Sequence, residues 1–257
     1  MSAQDPVSAS LRDPDAFWAG QARAIDWAEP FSQVCDFSRP PFARWFVGGR
    51  TNLCHNAVDR HLATRADQPA IRFVSTETGV AQVLSYAELH RKVVLMAATL
   101  RSLGLQKGDR VILYLPMVPE AAIAMLACAR LGLIHSAVFA GFAPPSLANR
   151  IDDAGARAIV TCDAGLRGGK LIPLKRLVDD AVAMAQTRVE RVLAINRGLD
   201  KEAAMVAPRD LDFAAASAPH VGEEVPCAWL ESSEPSYLLY TSGTTAKPKG
   251  VQRDTGG

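Results

Sequence analysis

Residues 110–139 read RVILYLPMVPEAAIAMLACARLGLIHSAVF. Arg110 to Leu115 is a short apolar run closed by Pro116, too short for a helix and suited to a buried strand. Pro119 and Glu120 then place a proline in the first helical turn and an acid at its positive end, so a helix opens there and ends near Gly132. That helix is apolar nearly all round, which implies burial. Ile134 to Phe139 is a second strand. Strand, helix and strand in this order point to a parallel pair joined by a crossover.

The same alternation continues outward. Upstream, Ala70 to Val74 reads as a strand, Gly79 as a turn, and Gln82 to Leu84 as its returning partner. Ser85-Tyr86-Ala87-Glu88 is a capping box for a helix running to about Ser102, with Tyr86, Leu89, Val93, Met96, Ala97 and Leu100 at helical spacing and Gly104 as a left-handed stop. Downstream come a helix over Pro145–Ala154, a strand over Ala158–Thr161, a helix over Pro173–Gln186 and extended chain over Arg188–Ile195. Residues 196–232, rich in Ala, Pro and acids, read as a connection without assignable order. Ser236 to Thr241 is a last strand. The fold class is therefore α/β, with a mostly parallel sheet flanked by helices on both faces.

Residues 1–70 differ from this body. They hold three of the four tryptophans (Trp18, Trp27 and Trp45) and the pair Pro40-Pro41, and read as an irregular N-terminal extension with short helices that lays aromatic side chains on the body. The expected division is 1–70 and 71–257.

Composition narrows the function. The 257 residues are 49% hydrophobic, too apolar for a disordered chain, and 28 Lys+Arg against 27 Asp+Glu leave no basic excess for a nucleic-acid partner. Five cysteines at wide spacing, with no CxxC, argue against a disulfide framework and against a structural zinc site, and suit a reducing compartment. The N-terminus lacks a basic stretch followed by an apolar one, and the longest purely apolar run, Ala121–Ala129, is far short of a membrane span. A cytoplasmic protein with no membrane partner is expected. His55 and His61, near Cys54 and Asp59, read as a helix face and not as a metal site. No GxSxG is present, so a hydrolase nucleophile elbow is unsupported.

The chemistry concentrates in Tyr240-Thr241-Ser242-Gly243-Thr244-Thr245-Ala246-Lys247-Pro248-Lys249-Gly250, directly after the last strand. Hydroxyls, glycines and lysines together can wrap an anion with side-chain and backbone donors. It is not a Walker A loop: counted from Gly243, Pro248 stands where that motif needs glycine and Gly250 where it needs Ser or Thr. A second basic cluster is Arg167-Gly168-Gly169-Lys170, which by itself could be an exposed turn.

The loop closely resembles the phosphate-binding signature of adenylate-forming enzymes, [YF]TSGTTGxPKG, departing from it only at Ala246. Three more segments resemble the short-chain acyl-CoA synthetase branch of that superfamily, and the propionyl-CoA type more than the acetyl-CoA type. They are Arg39–Gly49 with Thr51–His61, Val138–Phe142 with Leu147–Asp153, and Val251–Gly257. The resemblance covers the chain from about residue 12 onward. It implies a two-step ligase, in which a carboxylate attacks the α-phosphate of ATP to give acyl-AMP and pyrophosphate, and coenzyme A then displaces AMP. ATP, Mg2+ and coenzyme A are the implied cofactors. Thr241, Ser242, Gly243, Thr244, Thr245 and Lys249 match the positions that hold the β- and γ-phosphates. Arg167, Gly168, Gly169 and Lys170 match a segment that contacts the adenosine 3′-phosphate end of coenzyme A.

In the family the signature is followed by the rest of the large domain and by a small mobile domain carrying the adenylation lysine, so no catalytic residue is expected in this chain. The resemblance implies an N-terminal portion, inactive alone. The rival expectations are a non-catalytic nucleotide- or coenzyme A-binding module, half of a split enzyme with a separately encoded partner, or acetate as substrate. The strand 236–241 is expected to lack neighbours and present an open edge.

Overall fold

The computed structural model describes residues 5–241 and 248–257. A seven-stranded sheet forms the body, in the order Asp210–Asp212, Arg191–Ile195, Ala158–Cys162, Arg110–Tyr114, Ile134–Ala137, Pro235–Thr241 and Lys249–Asp254. All neighbours run parallel except the last pair. Arg110–Tyr114 is the middle strand of the seven, with Val111, Ile112, Leu113 and Tyr114 all buried.

The chain moves one way along the sheet from Arg110–Tyr114 to Ile134–Ala137, then back across it to Ala158–Cys162. Right-handed crossovers therefore put helices Pro119–Leu131 and Pro144–Ala154 on opposite faces. Helix Tyr86–Ser102 packs on the first and Leu174–Met184 on the second. The capping box is formed as expected: Ser85 N–H donates to Glu88 at 2.8 Å and Glu88 N–H to Ser85 Oγ at 3.2 Å. Gly132 closes helix Pro119–Leu131 at φ +70. Pro69–Val74 and Ala81–Ser85 form a separate antiparallel pair.

Three expectations need correction. The strand Pro235–Thr241 is not an open edge: it lies between Ile134–Ala137, through Tyr237 opposite His135, and the returning strand Lys249–Asp254. The chain after the loop folds straight back, so the edge moves outward by one strand. Residues 196–232 are not without order. Asp210–Asp212 forms the far edge of the sheet, and Asp212 caps helix Phe213–Ser217 by accepting from Ala215 N–H at 2.9 Å. A three-residue strand carries no readable periodicity; its partner Arg191–Ile195 creates it. The N-terminal region holds, besides helices Pro6–Arg12 and Pro14–Ala22, an antiparallel hairpin of Gln33–Arg39 with Phe42–Val47. Its aromatic rings pack chiefly on one another: Trp27 on Phe31 and Phe46, and Trp18 on Trp45.

Candidate functional site

Numbered in chain order from Arg110, the first five of the six parallel strands lie in the spatial order 5-4-3-1-2. Strands 1 and 3, Arg110–Tyr114 and Ala158–Cys162, are adjacent, but their onward connections leave in opposite directions. Such a switch point opens a crevice at the carboxyl ends of the strands, the usual place for a ligand in an open α/β sheet. A cleft of about 490 Å³ lies there. Its walls come from the segments after three strands: Leu115 and Pro116, then Phe139 and Gly141, then Gly165 and Arg167. The walls are mostly apolar, with a basic group among them, the composition of a small-molecule site.

Arg167 and Lys170 are brought together by the backbone. Gly165–Arg167 and Lys170–Ile172 form a short hairpin in which Arg167 and Lys170 are directly opposite. Gly168 and Gly169, at φ +56 and +75, make the two-residue turn, and two consecutive positive φ values are what a type I′ turn requires. No atom lies within 4 Å of where a Cβ would sit at either glycine, so the space above the turn is open. Like charges paired across strands repel. The pair is therefore suited to sharing an anion.

The other basic cluster sits at the sheet edge. Thr241 pairs with Lys249 across the base of the loop, where the two antiparallel strands end. Ser242, Gly243, Thr244 and Thr245, together with Ala246, lie outside the described residues.

A stacked ladder connects the two clusters, and of its members only Arg167 was assigned a role from sequence. The Arg167 guanidinium lies 5.5 Å from the Phe139 ring centre, Phe139 meets Phe142 edge-on at 5.7 Å, and Arg150 lies 4.5 Å from Phe142 and 5.1 Å from Tyr240. Tyr240 OH donates to Asp153 at 2.7 Å, and Tyr240 leads directly into Thr241. Arg150 is only 7% exposed, so its charge is held between two ring faces with little water. Tyr114 OH donates to the Phe142 carbonyl at 2.8 Å and fixes the segment that carries both phenylalanines. Burial pushes the Tyr114 phenol up to about 12, and burial with the Asp153 hydrogen bond raises Tyr240 beyond the ordinary phenol range, so both remain donors at neutral pH. Gly141 is required by close approach, because a Cβ there would stand 2.4 Å from the Phe139 ring. The signal in the sequence was the pair of segments Val138–Phe142 and Leu147–Asp153. What it lacked was their meeting with Tyr240.

His55 packs at a tilt against Trp229 and pairs with Asp26 at 3.3 Å, and His61 packs at a tilt against Tyr86, so both histidines are engaged by protein groups. Among the described residues no helix is long and apolar enough to cross a membrane.

Comparison with known proteins completes the picture. The profile described as AMP-binding enzyme matches residues 58–257, and that described as acetyl-coenzyme A synthetase N-terminus matches residues 4–57. The propionate–CoA ligase of Salmonella typhimurium is 56% identical over all of this chain, which spans 41% of the relative; that of Escherichia coli is 55% identical with the same coverage. The acetyl-coenzyme A synthetase of Methylobacterium radiotolerans is 47% identical over 99% of this chain and 40% of the relative. The solved acetoacetyl-CoA synthetase of Streptomyces lividans superposes with a TM-score of 0.87 at 29% identity, over 97% of this chain and 38% of that one. The chain thus spans about 41% of the length of the propionate–CoA ligases it matches. With a profile match running from residue 58 to residue 257, the chain belongs to the AMP-binding enzyme family.

Proposed function

We propose that this chain provides the phosphate-binding and coenzyme A-contacting part of an AMP-forming short-chain acyl-CoA synthetase, an acid–thiol ligase acting on propionate. The observation that carries the reading is the switch-point cleft lined by Arg167, whose hairpin sets Lys170 directly opposite it. The higher identity to ligases named for propionate than to those named for acetate favours propionate, with acetate as the second reading.

In this reading Thr241, Ser242, Gly243, Thr244, Thr245 and Lys249 hold the β- and γ-phosphates of ATP while a carboxylate oxygen attacks the α-phosphorus and pyrophosphate leaves. The coenzyme A thiolate then attacks the acyl carbon and AMP leaves. The hydroxyls give directional donors and Lys249 a point charge. Arg167 and Lys170 take the adenosine 3′-phosphate, and Gly168 and Gly169 let it approach the backbone. Mg2+ would arrive on the triphosphate. Among the described residues the one group of clustered ligand atoms contains two thiols and suits no magnesium ion, so no step is assigned to a protein-held one. The five free cysteines fit the reducing cytoplasm. Residues 1–70 serve as the N-terminal region and 71–257 as part of the adenylate-forming domain, with the adenylation lysine on sequence beyond this portion.

Calorimetric titration tests the reading. Coenzyme A should bind, 3′-dephospho-coenzyme A should bind at least about tenfold more weakly, and Arg167→Ala/Lys170→Ala should abolish the difference. Equal affinity for both ligands in the parent chain would remove the coenzyme A assignment. ATP–pyrophosphate exchange with propionate should be near zero for this chain alone, and robust exchange would refute that part.

A further inference from the structure

Among the described residues, one group of clustered ligand-forming atoms lies away from the cleft, beside helix Pro119–Leu131. Cys54 Sγ is 3.7 Å from Asp59 Oδ2, and Cys227 Sγ is 3.9 Å from the same oxygen. All three atoms lie within 4.8 Å of one another. Cys227 follows Asp59 by 168 residues, so only folding assembles the group.

We propose that Cys54, Asp59 and Cys227 form a binding site for a soft divalent cation of the zinc class. Tetrahedral zinc with S and O ligands at about 2.3 and 2.0 Å has S···O edges of about 3.5 Å. The observed 3.7 and 3.9 Å need contraction by only a few tenths of an ångström. Two sulfurs exclude the hard cations Mg2+ and Ca2+.

Arg130 is the feature that a simple zinc site would not contain. Only 4% exposed, it donates from Nη1 to Asp59 Oδ2 at 2.9 Å and to Cys54 Sγ at 3.5 Å. Charge counting reconciles it with a cation. Two thiolates and one carboxylate carry −3, the metal +2 and Arg130 +1, so the loaded cluster is neutral. With both thiols protonated, the Asp59–Arg130 pair is neutral without the ion. Binding thus exchanges two thiol protons for one dication and leaves the buried charge unchanged. Arg130 then acts as an outer donor to two ligands, as carboxylates and carbonyls do for metal-bound histidines.

The frame is built without the ion. Fully buried Asn52 donates to the Ala129 carbonyl at 2.8 Å and the Ala228 carbonyl at 2.7 Å, and Ala228 N–H donates to the Arg130 carbonyl at 2.7 Å. These bonds fix the helix bearing Cys54 and the segment bearing Cys227 against the end of helix Pro119–Leu131. Cys227 follows Pro226, which with His90 and Arg130 lines a neighbouring cleft of about 580 Å³. His90 Nε2 stands 3.4 Å from Asp59 Oδ1 and braces that carboxylate.

The test uses the whole chain, reduced and freed of metal by chelator. Co2+ titration should give about one equivalent, with intense visible bands of a tetrahedral site and a near-ultraviolet sulfur-to-cobalt band. Zn2+ should displace it, with release of about two protons per ion in weak buffer. Cys54→Ala and Cys227→Ala should each weaken binding by about 100-fold or more, and Cys35→Ala should leave it unchanged. The proposal fails if the folded parent chain gives no such spectrum, if both variants bind as the parent does, or if two thiols are already lost to a disulfide with no metal present. The parent spectrum decides the matter even if a variant does not fold.

Discussion

Lys175→Met tests how the second basic turn is anchored. Lys175 is completely buried at the start of helix Leu174–Met184, shortly after the hairpin strand Lys170–Ile172. Its Nζ contacts both Asp179 oxygens at 2.8 Å and Asp210 Oδ2 at 2.7 Å. Arg209 bridges the same two carboxylates. The four groups form a closed quartet of two cations and two anions, and the Asp210 side chain has no exposed surface. Methionine fills the stem's volume but leaves two carboxylates to one guanidinium. Removing one partner of a buried pair costs about 3–5 kcal/mol, and the remaining Arg209 places this case near about 3 kcal/mol. For a chain of this size that lowers Tm by roughly 6–12 °C. Urea unfolding followed by far-ultraviolet circular dichroism measures it. Lys175→Met/Asp210→Asn removes one charge of each sign and should recover at least about half of the loss, since neutral replacement of a buried pair is often harmless. A single-variant cost below about 1 kcal/mol, or a double variant as unstable as the sum of its parts, would refute the reasoning. Hydrogen exchange should quicken first in Gly165–Ile172.

Three further outcomes follow from the same geometry. Asp163 accepts N–H groups from Arg197, Leu199 and Asp200 at 2.7–3.0 Å; burial acts to raise its carboxyl, but these donors outweigh it and hold it low. A depressed carboxyl stabilises above its unfolded value and loses that contribution as pH falls through its folded value. Asp163→Asn should therefore cost about 2 kcal/mol at pH 7, with the gap to the parent closing below about pH 4 in acid-dependent urea titrations. Gly169→Ala should cost about 1 kcal/mol by thermal unfolding, from its φ of +75 alone, whereas Gly132→Ala at φ +70 should cost more because its Cβ would also meet Leu230 Cδ2 at 3.0 Å. Tyr240→Phe removes the 2.7 Å bond to Asp153 and should speed amide exchange at Tyr240 and Thr241 while leaving Ile112 and Leu113 protected; uniform change across the sheet would count against a local role.

Residues 110–139 determined the class by themselves. A buried strand, a nearly all-apolar helix opened by proline and closed by glycine, and a second strand are local patterns, and the parallel sheet follows from their order. The capping box at Ser85 and Glu88 and the Gly168-Gly169 turn were legible for the same reason, because each depends on neighbours within a few residues. Tertiary structure alone decided what depends on distant partners. Pro235–Thr241 became an interior strand because Lys249–Asp254 returned beside it. Asp210–Asp212 became a strand because Arg191–Ile195 offered unpaired backbone groups. Arg150 is charged, yet it is buried between Phe142 and Tyr240, two rings that 98 residues separate in sequence. Cys227 joins Cys54 and Asp59 only because Asn52 and Arg130 draw the segment 225–228 onto the helix end. Local propensity is written along the chain, whereas a site assembled across the core exists only once burial has brought its parts together.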